Sequence, residues 1–158
     1  MSRFIRRGIT KIYFLPAIAN LETGPTREEI TAGKDITCWP SEISGFTISA
    51  ESVEVPDLCS TKTKKIPAGE TIDDISLTMY EDAEKEEIEE TFTRGAKGFI
   101  YIMNKGDKPT SKSGDIWPVE VASISHNYSV GSDPATLTVN FTVPESPVFG
   151  TAIPVAAA

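Results

Sequence analysis

Apolar and polar residues alternate with period two along much of the chain. The clearest case is Leu137-Thr138-Val139-Asn140-Phe141-Thr142-Val143. Alternation of this kind specifies a β-strand with one buried face and one wet face. Phe46-Thr47-Ile48-Ser49-Ala50-Glu51 and Ile75-Ser76-Leu77-Thr78-Met79-Tyr80 alternate in the same way. They predict the two arms of a long β-hairpin running from Ser44 to Tyr80. Between the arms, residues 54–69 form a connection far longer than the roughly two to five residues of most hairpin loops. Loops of that length are commonly functional, so this one is predicted to project and do a job.

The remaining pattern adds strands and little helix. Ile9 to Leu15 is rich in β-formers and ends at Pro16, which predicts a strand. Residues 98–103 are continuously apolar, the signature of a strand covered on both sides. Residues 117–128 predict a strand with a register change near Ala122, and Gly131-Ser132-Asp133-Pro134 a turn. Thr26 and Glu29 have capping-box spacing, with Gly33 placed to close a short helix over 27–32. Asp82 to Arg94 predicts the one flanking helix, with Asp82 as N-cap, Gly95 as terminator and a narrow stripe of Ile88 and Phe92. The fold class is mainly β: an antiparallel sandwich or half-barrel of about six strands. It is one domain over 1–158, with an N-terminal arm 1–8, a β core 9–143 and a C-terminal arm 144–158.

Composition narrows the chemistry. The net charge is −8, from 23 acidic and 15 basic residues, which argues against sequence-independent nucleic-acid binding. No apolar run reaches the length of a membrane span, and no apolar segment follows the basic start Met1 to Gly8 as in a secretory signal. Cys38 and Cys59 make no disulfide framework; they are two free thiols or, alternatively, one bridge between loops. The single histidine, His126, sits in a half-polar strand and is read as structural. A nucleophile elbow, a phosphate-binding loop and a metal-ligand spacing are all missing from the sequence. No enzyme, cofactor or metal site is expected, so function is sought in surfaces.

Three surfaces stand out. The acidic run from Glu81 to Glu90 is a solvated face or a docking site for basic arms, another copy's among them. Phe4, Arg6 and Arg7 in the N-terminal arm, and Val148, Phe149 and Ile153 in the C-terminal one, have the character of segments that pack on a neighbour. Lys62, Lys64 and Lys65 concentrate positive charge in the long loop of an acidic chain.

This layout resembles the major tail tube protein of long-tailed, siphovirus-type bacteriophages. The basic arm 1–8, the polar-faced hairpin 44–80 with its loop 54–69, the acidic helix 82–94, the strand pair 116–129 and 135–143, and the apolar arm 144–158 carry the likeness. The resemblance implies a β-sandwich subunit forming hexameric rings that stack into a tube, tied by loops and terminal arms. It implies a lumen that holds the tape measure protein and passes DNA without binding it specifically. Tail terminator and distal tail proteins would be further partners. The protein would be made and assembled in the host cytoplasm and reside in the virion tail. Under it, Thr47, Ser49, Glu51, Asp74, Ser76 and Thr78 are candidate lumen residues, the plainer reading being solvent-facing strand positions. Lys62, Lys64 and Lys65 are candidates for an inter-ring tie. A type VI secretion tube subunit, a head–tail joining or decoration protein, and a monomeric β-barrel for a small ligand are the alternatives.

Overall fold

The computed structural model describes residues 1–155. The strands are β1 (Lys11–Leu15), β2 (Lys34–Asp35), β3 (Pro40–Ser44), β4 (Ile48–Val55), β5 (Lys64–Ile72), β6 (Ile75–Tyr80), β7 (Lys97–Met103), β8 (Gly114–Asn127), β9 (Thr136–Thr142) and β10 (Val148–Thr151). Two short helices join them, α1 (Arg27–Ala32) and α2 (Glu87–Thr91).

The body is an antiparallel sheet ordered β2-β1-β7-β8-β9-β6-β3, with β10 added beside β8. Alternation decides its faces. Leu137, Val139 and Phe141 of β9 turn inward beside Ile75, Leu77 and Met79 of β6, with Leu77 opposite Val139. In β8, Trp117, Val119 and Val121 point to the same core, and Ile124 packs against it from beyond a bulge. The ladder to β9 shifts between Val121 and Ser123, so the extra residue Ala122 flips the parity and returns an even-numbered position to the inner side. The register change expected near Ala122 is this bulge.

The sheet curls into the expected half-barrel. Its edge strands β2 and β3 are consecutive in the chain, separated by Ile36 to Trp39 alone. That bridge spans at most about 17 Å, so the two edges face each other across a gap, and no β2–β3 ladder closes it. Phe92, just beyond α2, fills the inside. Its ring makes edge contacts with Phe14 at 5.0 Å, Trp39 at 6.3 Å and Phe141 at 5.4 Å. Where a ligand-binding barrel would keep a cavity, this one has aromatic packing.

The outer face of β1, β7 and β8 carries a second core of Leu15, Tyr101, Met103 and Ile116, covered by Ile30 of α1 and by Ile153. Residues 98–103 are therefore buried on both sides, as their unbroken hydrophobicity predicts. Burial pushes the Tyr101 phenol up to about 12. Helix α1 has the expected capping box: Glu29 N–H donates to Thr26 Oγ1, and Thr26 N–H to Glu29 Oε1. The Thr26 N–H bond foremost, joined by that of Ala19, holds the Glu29 carboxyl below its ordinary range.

Three expectations need correction. First, the arms 46–51 and 75–80 do not pair with each other. Strand β4 pairs with β5 in a separate two-stranded sheet, while β6 lies between β3 and β9. Half of the supposed loop 54–69 is thus strand, and Pro56 to Thr63 turn the chain. Second, the helix expected over 82–94 spans Glu87–Thr91 only. Asp82 accepts the Glu84 amide in a local turn at 2.9 Å rather than capping α2. Seven acids between Glu81 and Glu90 face a single lysine there, so like-charge pairs at helical spacing oppose a longer helix. Third, the C-terminal arm expected over 144–158 is not free as far as Val155, its last three residues lying outside the described ones. After Pro147 the chain continues the path of β9 along β8, with Val148 opposite Ile116 and Thr151 opposite Gly114.

Candidate assembly surfaces

The β4–β5 hairpin leaves the body through a strained root. Gly45 has φ +93° and Phe46 φ +59°, two successive residues in the left-handed region. A Cβ on Gly45 would come within 2.5 Å of the Asp74 carbonyl oxygen. The unfavourable Phe46 backbone is held by packing: its ring meets Trp117 edge-on at 5.3 Å. Asp73 N–H donates to Thr47 O across the root, and Ile48 and Ile72 rest against the core. Beyond the root the hairpin pairs with itself alone. Val53 stands opposite Ile66 and Val55 opposite Lys64, which puts three apolar side chains on one face. All three are exposed: Val53 51%, Val55 42% and Ile66 53%. Glu54 and Lys65 face each other on the other side. Lys62 lies in the turn, braced where its N–H donates to Ser60 Oγ, with Leu58 and Cys59 nearby and exposed. The three lysines therefore sit at one end of the hairpin but on different sides of it.

The six candidate lumen residues separate. Thr47, Ser49 and Glu51 belong to the hairpin, where Thr71 Oγ1 donates to Glu51 Oε1. Ser76 and Thr78 lie on the outer face of β6, with Asp74 just before it. That face is wider than the sequence suggested. Ser44 pairs with Ser76 and Glu42 with Thr78 on one side of β6, and Asn140 and Thr138 oppose the same two residues from β9. Strand β8 extends it with Ser123, Ser125 and Asn127. Asn140 donates to Ser123 Oγ at 3.0 Å, Asn127 to Thr138 Oγ1 at 2.9 Å, and Thr78 and Thr138 hydroxyls lie 3.4 Å apart. Four strands thus present hydroxyls and amides with almost no charge. The polar positions of 137–143 carried this signal; their neighbours could not be known without the strand order.

The arms fold back on their own subunit. Arg6 donates to Asn104 Oδ1 at 3.0 Å and lies 5.9 Å from the Phe4 ring, while Phe4 stays half-exposed and Arg7 exposed. Ile153 is only 1% exposed, which corrects its assignment to a neighbour-facing arm: it completes the second core. Val148 is held in the β8 ladder, and Phe149 stacks edge-on to Trp117 at 5.5 Å with half its surface open. Arg27 clamps this region with paired bonds to Asp107 at 2.8 and 3.0 Å and a further bond to the Pro154 carbonyl. The same guanidinium bond holds the Asp107 carboxyl below its ordinary range.

An open groove of about 330 Å³ lies where β6 ends and α2 begins. Trp39, Tyr80 and Ile88 supply its apolar surface, and Glu81, Asp82 and Glu87 its negative charge, with Lys85 the one cation among them; Cys38 lines it too. Glu81 contacts His126 Nδ1, and Glu89 brings a second carboxylate within 4.8 Å of both. Cys38 and Cys59 are free and exposed.

A family model described as phage tail tube protein matches residues 1–156. The chain belongs to the phage tail tube protein family. It is a structural subunit of a tail tube, and the virion tail is its place. Solved structures share the tail tube subunit's fold at low sequence identity. The sheath and tube terminator of an extracellular contractile injection system, PVC, in its extended state has 15% identity and a TM-score of 0.62, over 94% of this chain and 97% of that one. The tube-terminating cap of the anti-feeding prophage has 13% identity and a TM-score of 0.64, over 96% and 94%. The tail of an empty gene transfer agent particle, refined with C6 symmetry, has 15% identity and a TM-score of 0.53, over 94% and 98%. No curated protein matches the sequence.

Proposed function

We propose that subunits join side by side into six-membered rings and that rings stack into a hollow conduit for DNA. The outer face of β3, β6, β9 and β8 lines the lumen, and the β4–β5 hairpin ties one subunit to the next. The observation that carries this reading is the contrast between the two surfaces. One is a broad sheet face of hydroxyls and amides, which offers DNA neither cationic anchors nor apolar patches. The other is a hairpin with an exposed apolar face and no packing partner among the described residues. A net charge of −8 further disfavours adhesion of DNA along the path. Six-fold order is supported by the C6 symmetry of the similar gene transfer agent tail. The tape measure protein occupies the lumen during assembly, and terminator and distal tail proteins close the ends.

The test is electron microscopy of purified protein. Wild-type subunits form rings or hollow tubes, and the triple variant Lys62→Glu, Lys64→Glu, Lys65→Glu forms few or none while remaining folded by circular dichroism. Wild-type protein that stays monomeric, alone and with its tail partners, would remove the reading. Normal tubes from the triple variant would remove the hairpin's role in it.

A further inference from the structure

We propose that the tip of the β4–β5 hairpin seats in the acidic groove between β6 and α2 of a neighbouring copy. This rests on the reading above and names the surface that receives the hairpin.

Both halves of the contact are open in the subunit, and they complement each other twice. The hairpin tip carries Lys62, Lys64 and Lys65 against one acid, Asp57, over residues 57–65. The groove is lined by Glu81, Asp82 and Glu87 against Lys85, within a segment 81–90 that carries seven acids in all. Opposed patches of this kind set register and speed docking. The hairpin also exposes Val53, Val55 and Ile66 on one face, and the groove exposes part of Trp39 and Tyr80 beside the buried Ile88. A two-stranded ribbon is marginal in water unless a third element covers it, and no element among the described residues does. Two other segments are basic: the loop 105–112, with Lys105, Lys108 and Lys112 against Asp107 but no large apolar side chain to cover, and the N-terminal arm. Its Arg6 is already engaged by Asn104, and it lacks a ladder to present an apolar face. The geometry therefore favours the hairpin as occupant.

Seating the tip brings two exposed thiols together, Cys59 beside the turn and Cys38 in the groove wall. A short bismaleimide, which alkylates both thiols without any oxidant, is the probe. Assembled wild-type protein gives a ladder of covalent multimers, and peptide mapping finds Cys59 joined to Cys38. Cys59→Ser and Cys38→Ser each abolish the ladder. Lys64→Glu with Lys65→Glu lowers the yield about tenfold or more. Mixing that variant with Glu84→Lys, Glu87→Lys subunits restores it, which a merely misfolded hairpin would not allow. Tubes of normal appearance with no Cys38–Cys59 link overturn the groove docking and leave the tube reading standing. A link from an introduced thiol at Arg3 to Cys38, in place of Cys59, overturns it in favour of the N-terminal arm. Absence of both tubes and links removes the tube reading and this proposal with it.

Discussion

The β6–β9 pair and the β4–β5 pair are built by the same rule and end in opposite states. Both alternate apolar and polar residues, and both form antiparallel ladders. In the first, Leu77 and Val139 meet in the core with no exposed surface. In the second, Val53 and Ile66 meet in the same way and stay half in water. The difference lies in what covers the ladder. β6 and β9 are flanked by β3 and β8, and their inner face is closed by Phe92, whereas β4 and β5 have no further strand on either side among the described residues. Alternation states that a strand has an apolar face. It does not state whether the cover comes from the same chain. In a protein that works only as an assembly, that distinction separates the folding core from the joining surface.

The largest expected effect breaks the covered region. Phe92 is fully buried and touches Phe14, Trp39 and Phe141 from inside the curl. Phe92→Ala should cost about 3–5 kcal/mol, read as a lower midpoint in chemical denaturation. A cost below about 1 kcal/mol would mean that the curled sheet does not depend on this plug.

How far the sequence reveals this division depends on the range of the forces involved. Local signals were legible: the capping box of Thr26 and Glu29, the doubly buried run 98–103, the bulge at Ala122 and the alternation of β9. Each is set by residues within a few positions of each other. Strand pairing was not legible. Phe46 to Glu51 and Ile75 to Tyr80 look like partners by pattern, and the partners are Lys64 to Ile72 for one and Ile43 with Val139 for the other. Period two fixes which side a residue faces but leaves the neighbour open. The acidic helix came out short because charge repulsion and the scarcity of apolar positions outweighed a plausible cap. Of the site residues, the lysines were recognisable by charge alone. The polar sheet face needed the strand order, and Ile153 looked free only because its pocket is assembled from β1, β7 and α1.

The second prediction concerns the junction between the regions. Gly45 lets β3 turn into the hairpin at φ +93°, and its missing Cβ leaves room for the Asp74 carbonyl and Ile75 Cα at 2.5 and 2.9 Å. Those neighbours are backbone and cannot swing aside. Gly45→Ala should therefore cost about 1–3 kcal/mol, less than the loss of Phe92 but well above a surface change. The same denaturation experiment measures it. A neutral result would show that the root tolerates another path and that the hairpin's direction is not fixed by the body.

The smallest expected effect sharpens the comparison most, because it separates folding from joining. Val53→Thr keeps a β-branched side chain of similar size, so the ladder opposite Ile66 retains its strand preference. The residue is 51% exposed and touches no core in its own subunit, so the monomer's stability should move by less than about 0.5 kcal/mol. Assembly should respond differently. If a neighbouring copy covers this face, the hydroxyl is carried out of water at every joint of the tube, and burial of an unpaired hydroxyl costs about 1–3 kcal/mol. Repeated around each ring, even the lower figure raises the protein concentration at which tubes appear in light scattering. The counterpart change in the body, Val139→Thr, places the same hydroxyl at a site with no exposed surface and should lower monomer stability directly. Matching losses of stability at both positions would mean that the hairpin face is covered within the subunit, and the contrast between the two ladders would collapse.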